Sequence, residues 1–355
     1  MTQTQNRLNE MRLILDAKNL PALLVMQPEN RRYLSGFTGS AGALLITPAQ
    51  AILSTDSRYW EQAAQQAPDF TVYQAKGSLK DFLPGLIAAA GSPTGIGFES
   101  NTVTVAQYLE MQKAVPQIEW SGVNGLIENL RAVKDADELA LMCRTIDLAE
   151  DGLRYLLSLL KPGMTEKAAA WELENYLRVH GADALSFDTI VATGPNTALP
   201  HHHPSERVIQ ANEPITIDWG AAIDGYRSDL TRTIVLGEPD AKFREIYGIV
   251  LKAQLHAIDN IRAGQTGQEA DAFARDIIAG AGYGDNFGHG LGHGVGLAVH
   301  EQPRASYLAE EERLPANSIL TVEPGIYLPG WGGVRIEDMV LVKEEGVEVL
   351  SHFEK

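Results

Sequence analysis

The sequence predicts an α/β (α+β) protein of two domains, residues 1–130 and 131–355, the second assembled from two copies of one unit. Three observations carry this. Residues 20–120 alternate short apolar runs with helical stretches, a long amphipathic helical pattern follows, and segments beyond it recur in the same order about a hundred positions later. With 355 residues, 45% of them hydrophobic, the chain can bury two sizeable cores.

In the first domain "PALLVMQ", "GALLIT", "AILSTD", "TGIGFES" and "IEWSG" read as strands, and "SLKDFLPGLIAAAG" and "TVAQYLEMQKAVP" as helices between them. A long helix is then expected to begin in "LIENLRAVKDADELALMCRTIDLAEDGLRYLLSLLKPG". Lys134 to Glu138 form its charged start and Pro162-Gly163 its stop, so the domain boundary falls near residue 130. Cys143, the single cysteine, lies in this amphipathic pattern and reads as a packed thiol rather than a nucleophile; no disulfide framework exists.

The duplication has several matching parts. The helix-turn-helix junction "LKPGMTEKAA" from Leu160 recurs as "IRAGQTGQEA" from Ile261. The strand "NEPITIDWG" from Asn212 recurs as "NSILTVEPG" from Asn317, superimposing Asp218 on Glu323. "YRSD" from Tyr226 matches "VRIE" from Val334, superimposing Asp229 on Glu337. Two half-sites facing each other would bring four carboxylates together. In the first half, Asp224-Gly225 is the dipeptide of a tight hairpin turn; with those two as the loop, Asp218 pairs opposite Thr231 and has Asp229 as a diagonal neighbour on the same face, whereas a loop of Ala222 to Gly225 would set the two carboxylates directly opposite, so they share a face in either register. Flanked by Ile215, Ile217, Ile234 and Val235, two such carboxylates repel and are costly to bury unless a cation compensates. The bland alternative, both facing solvent or meeting Arg227 and Arg232, is disfavoured by the matching pair Glu323 and Glu337.

"GHGLGHGVGLAVHE", Gly288 to Glu301, holds three of the nine histidines. His289 and His293 have the spacing of a zinc-binding helix but lack its glutamate, and the glycines are poor helix formers. "HEQPR" fails as well, with Arg304 where a second histidine would stand. A phosphate-binding glycine loop does not fit, because Val295 occupies the third glycine position. The remaining reading is a glycine-rich strand or loop passing close to a crowded centre, with one imidazole ligating and others acting on substrate. Of His201 to His203 in "PHHHP", at least two are expected to be solvent-exposed bystanders.

With 46 acidic against 29 basic residues the net charge is −17, which disfavours nucleic acid and anionic membrane surfaces as partners. No stretch reaches the ~20 apolar residues of a membrane span, and the polar N-terminal segment suggests a cytoplasmic protein.

"ITIDWGA", "SDLTRT", "GHGLGHGVGL", "HEQP", "LTVEPGIY" and "GVRIED", in this order, resemble the proline-specific metallopeptidases of the pita-bread fold: aminopeptidase P and prolidase (Xaa-Pro dipeptidase), with methionine aminopeptidase more distant. "YLSGFTGSAGALLIT" and "DSRYWEQA" look like the creatinase-type N-terminal domain of the same group, closer to aminopeptidase P. The resemblance implies a creatinase-type α/β domain followed by a pita-bread catalytic domain with internal pseudo-twofold duplication. It implies two divalent ions held by Asp218, Asp229, His293, Glu323 and Glu337, with Asp229 and Glu337 bridging. Mostly oxygen ligands favour Mn²⁺ or Co²⁺, with Zn²⁺ compatible. By the same resemblance Glu323 is general base and then acid, His201 and His300 hydrogen-bond the tetrahedral intermediate and the substrate backbone, and His289 lines a subsite or relays protons. Phe287, Tyr327 and Trp331 are candidates for the proline slot.

Removal of the first residue from longer Xaa-Pro peptides, as in aminopeptidase P, is the reading the N-terminal motifs favour, with prolidase as the alternative. A dipeptidase must bind the free proline carboxylate, for which Arg58, Arg304 and Arg335 are candidate cations, Arg335 also standing beside Glu337. A metal-free creatinase and a non-catalytic peptide-binding module are disfavoured by the intact ligand set. A homodimer is what the resemblance implies.

Overall fold

The computed structural model describes residues 2–355 and divides into two compact units at Arg131/Ala132. The first is a mixed six-stranded sheet in the order Thr71–Gln74, Ala51–Thr55, Ala43–Ile46, Leu23–Val25, Gly95–Glu99, Glu119–Val123. Its three central strands are antiparallel neighbours and its outer pairs are parallel. Leu24, Leu45, Ile52, Leu86, Ile96 and Met111 lie in its core, so these strands read as continuous apolar runs rather than alternating ones.

The long helix, Ala136–Leu159, starts within the charged segment Lys134 to Glu138, as expected, and a separate short helix, Leu126–Ala132, precedes it because Asp135 caps a new helix. Its carboxylate accepts from the Asp137 and Glu138 amides while Glu138 returns a bond to the Asp135 amide. Cys143 is half-buried on the second helix, and burial raises its thiol pKa.

The duplication extends to the caps. Helix Ala136–Leu159 leads through an extended Leu160 to Thr165, which caps Glu166–Val179; helix Ala241–Asn260 leads through an extended Ile261 to Thr266, which caps Gly267–Gly280. Asn212 and Asn317, which begin the matching strands, both adopt positive φ, 65° and 63°, a conformation asparagine tolerates better than most residues.

The first hairpin has the register expected from Asp224-Gly225. Both turn residues have positive φ, Ile223 pairs with Tyr226, and Asp218 pairs with Thr231. The period of two sends Trp219 to the opposite face, where it is fully buried and its indole N–H donates to the Ala149 carbonyl at 2.7 Å. In the second half Val322 pairs with Asp338 and Gly325 with Arg335, a register that sets Glu323 opposite Glu337. A bridge between Thr231 and Glu337 joins the two hairpins. Asp218, Thr231, Glu337 and Glu323 thus form one row across four strands, with Asp229 two residues from Thr231 on the same face.

Candidate metal centre

The row converges. Carboxylate oxygens of Asp218, Asp229 and Glu337 lie within 4.8 Å of one another, all buried. His293 completes the group: its Nε2 is 3.3 Å from Glu323 Oε1 and 3.7 Å from Asp229 Oδ2. It stands on the short strand Gly292–Gly294, whose His293 amide donates to Thr321 Oγ1 at 3.0 Å, and the Thr321 hydroxyl in turn donates to Glu323 at 3.2 Å. The glycines permit this approach, since a Cβ on Gly292 would overlap the Thr321 backbone.

Burial dominates the electrostatics. It raises the pKa of Asp218, and it raises Asp229 and Glu337 well above the usual carboxylate range, with neighbouring carboxylates adding to the effect. Glu323 differs: burial would raise it, but the hydrogen bond and charge of His293 outweigh burial and hold it at about 2. His293 is raised in return, the Glu323 bond overcoming its own burial. Among the four clustered carboxylates Arg335 pairs with Asp218 and His293 with Glu323, and Asp218 Oδ1 is a buried acceptor with no hydrogen-bond partner among the described residues. An oxygen-rich donor set with one imidazole, surplus negative charge and an unsatisfied acceptor fits divalent cations.

Thr231 and Arg335 hold the row in place. The Thr231 hydroxyl donates to Glu337 at 2.7 Å, and Arg335 donates to Thr231 Oγ1, Tyr327 Oη and Asp218 Oδ2 at 3.1, 2.9 and 2.6 Å. Arg335 therefore orients Asp218 directly and reaches Glu337 only through Thr231, and although buried it also borders the cavity. Tyr327 carries the network to His289, whose Nε2 is 2.9 Å from the phenol and whose Nδ1 is 2.8 Å from the Gly290 carbonyl. Nδ1–H donates to that carbonyl and Nε2 meets the Tyr327 hydroxyl, so neither ring nitrogen is free. Burial lowers its pKa consistently.

The cluster opens into a cavity of about 510 Å³, within the range of small-molecule sites. His201, His289 and His300 line it, as does Arg304, whose Nε donates to Glu312 at 3.0 Å and whose side chain is 61% exposed. No hydrogen bond reaches the ring nitrogens of His201 or His300 among the described residues, which leaves both available. Phe287, Tyr327 and Trp331 do not line the cavity: Phe287 packs on His289, Tyr327 is tied to Arg335, and Trp331 lies against the core. Its apolar wall comes from Phe187, Ile190, Pro200 and Val299, of which Phe187 and Ile190 lie outside every motif. Nor had His202 been distinguished from its neighbours; it is held by Glu166 at 2.8 Å and is no bystander, whereas His201 and His203 are exposed.

Residues 140–344 match the model of metallopeptidase family M24, and residues 7–133 that of the creatinase/prolidase N-terminal domain. The chain belongs to family M24. A solved structure described as an Xaa-Pro dipeptidase from Bacillus anthracis is 41% identical, with 99% of this chain and 98% of that one covered at a TM-score of 0.95. An X-Pro aminopeptidase structure from Thermotoga maritima is 37% identical, with 98% of each chain covered at a TM-score of 0.90. The Xaa-Pro dipeptidase of Pyrococcus horikoshii is 35% identical over 96% of this chain and 95% of its own. This M24 chain thus has the creatinase-type domain followed by the pita-bread domain. No described helix is long and apolar enough to cross a membrane.

Proposed function

We propose that this M24 chain is an Xaa-Pro dipeptidase, the alternative rather than the first reading of the sequence. The buried carboxylate cluster at the base of a cavity carries the metallopeptidase part. Arg304 on the cavity wall, with Nη1 and Nη2 outside its Glu312 bond, supports the dipeptidase part, because a guanidinium fork suits a free prolyl carboxylate. Named relatives at 35% and 41% identity are dipeptidases, which supports the same choice. The X-Pro aminopeptidase from Thermotoga maritima, at 37%, keeps aminopeptidase activity as the second reading.

Asp218, Asp229, His293, Glu323 and Glu337 would hold two divalent cations, Mn²⁺ by preference, in a cytoplasmic homodimer. Such cations, when bound, acidify a water and polarise the scissile carbonyl. Glu323, ionised at neutral pH, takes a proton from the attacking water and returns it to the prolyl nitrogen, which has no hydrogen of its own. His201 and His300, with free ring nitrogens, hydrogen-bond the developing oxyanion and the substrate backbone. Phe187, Ile190 and Val299 exclude water and receive the ring.

The test compares Ala-Pro with Ala-Pro-Ala on protein stripped by chelator and restored with Mn²⁺, using Glu323→Gln as the inactive control. The dipeptide is expected to dominate, and Arg304→Met to raise KM for Ala-Pro by about 10–100-fold while sparing the tripeptide. Dominant tripeptide cleavage would establish the aminopeptidase instead. No metal-dependent cleavage of either would sink both.

A further inference from the structure

We propose that Glu166 is the positioning residue for His201, clamping the loop that carries it; the catalytic part of this claim rests on the dipeptidase reading above. Glu166 begins the helix Glu166–Val179 and is fully buried. Its Oε1 accepts from the Thr193 amide, the Thr193 hydroxyl and Asn196 Nδ2 at 2.8, 3.0 and 2.9 Å. Its Oε2 accepts from His202 Nε2, the Ser205 amide and the Ser205 hydroxyl at 2.8, 3.0 and 2.6 Å. One carboxylate therefore ties together the start, the middle and the end of segment 193–205. Only an ionised carboxylate, an acceptor on both oxygens, matches that ring of donors. Burial would raise its pKa, but the bonds from Ser205, His202 and Asn196 outweigh burial and hold it at about 2.

His201 needs this support because no hydrogen bond orients its own ring. What places it in the cavity is its backbone, and the adjoining residue, His202, is the one Glu166 holds. The duplicated half shows what the carboxylate replaces. The Glu166 and Lys167 amides donate to the Arg207 and Ser205 carbonyls at 3.0 and 3.2 Å, as the Gly267 and Gln268 amides do to Glu312 and Ala309 at 2.8 and 3.0 Å. In that second half a Cβ at Gly267 would overlap the Arg304 carbonyl, so backbone lies directly on the helix start. The first half inserts a carboxylate there, and its loop, carried on side-chain bonds, presents His201.

The test uses the full, Mn²⁺-loaded chain carrying Glu166→Gln, whose amide places donors opposite one set of loop donors. Amide exchange across 194–205 is expected to accelerate about tenfold or more, with the hairpin Pro214–Val235 unchanged. Hydrolysis of Ala-Pro is expected to lose about 10–30-fold in kcat with little change in KM. A double-mutant cycle then separates positioning from general destabilisation: in a His201→Ala background, Glu166→Gln should cost no more than about twofold. Undiminished loss in that background would overturn the proposal, as would unaltered exchange, or a wild-type kcat for His201→Ala alone. Absence of Ala-Pro hydrolysis by the wild-type chain would refute the dipeptidase reading alone, and exchange then decides whether Glu166 holds the loop. Should Glu166→Gln not fold, Ser205→Ala removes a single donor and is expected to give the same pattern at about threefold amplitude; unchanged exchange there overturns it equally.

Discussion

Asp229→Asn should stabilise the chelator-stripped protein and destabilise it relative to wild type once Mn²⁺ is added. Asp218, Asp229 and Glu337 place oxygens within 4.8 Å of each other. At an effective dielectric of about 20, two full charges at that distance repel by about 3.5 kcal/mol. Protonation relieves part of this, which is why Asp229 and Glu337 are pushed well above their ordinary pKa. An isosteric amide removes the repulsion around Asp229, and the net gain should be about 1–2 kcal/mol, or about 2–8 °C in the unfolding temperature of a unit this size. Metal reverses the order. At a free Mn²⁺ concentration of about 100 Kd the wild type gains about 2.7 kcal/mol, whereas a variant binding a hundredfold more weakly gains about 0.4 kcal/mol. Differential scanning calorimetry of the catalytic unit, with chelator and then with Mn²⁺, reads both arms. A variant less stable than wild type in chelator, or one shifted equally by Mn²⁺, would refute the reasoning, because the carboxylates would then be compensated without a cation.

Glu166, with a folded pKa of about 2 against an ordinary 4.5, contributes about 3 kcal/mol. Because that pKa is depressed, the contribution is present above about pH 4.5 and is lost as pH falls toward 2; urea unfolding of wild type and Glu166→Gln should show a gap that closes over that window, and a pH-independent gap would contradict the assignment. Gly292→Ala should cost about 1–3 kcal/mol by overpacking against Thr321 and also weaken Mn²⁺ binding by displacing His293, both measured by thermal shift with metal titration. Unchanged values would show that the strand can give way. Lys134 and Glu301 form a buried ion pair at 2.8 Å; Lys134→Met is expected to cost about 3–5 kcal/mol in denaturant unfolding, and adding Glu301→Gln to recover most of it. A double variant as unstable as the single one would point to packing instead.

The first half-site was legible because its determinants are local. Asp224-Gly225 demands a turn with two positive φ values, and the period of two then fixes which side chains share a face with Asp218. The start of the helix Ala136–Leu159 is equally local, written in Asp135 and Glu138 within the charged segment Lys134 to Glu138.

By itself the sequence determined the two-unit α/β plan, the shared face of Asp218 and Asp229 and the duplicated acidic pairs, since each depends on residues close along the chain or on the repetition of a short pattern. Tertiary structure alone decided that Thr231 and Glu337 join the hairpins, that Arg335 turns to Asp218, that His202 is held by Glu166, and that Phe187, Ile190 and Val299 form the cavity wall. The Thr231–Glu337 and Arg335–Asp218 contacts join residues more than a hundred positions apart, and single polar or apolar side chains in loops carry no periodicity that would announce their partners.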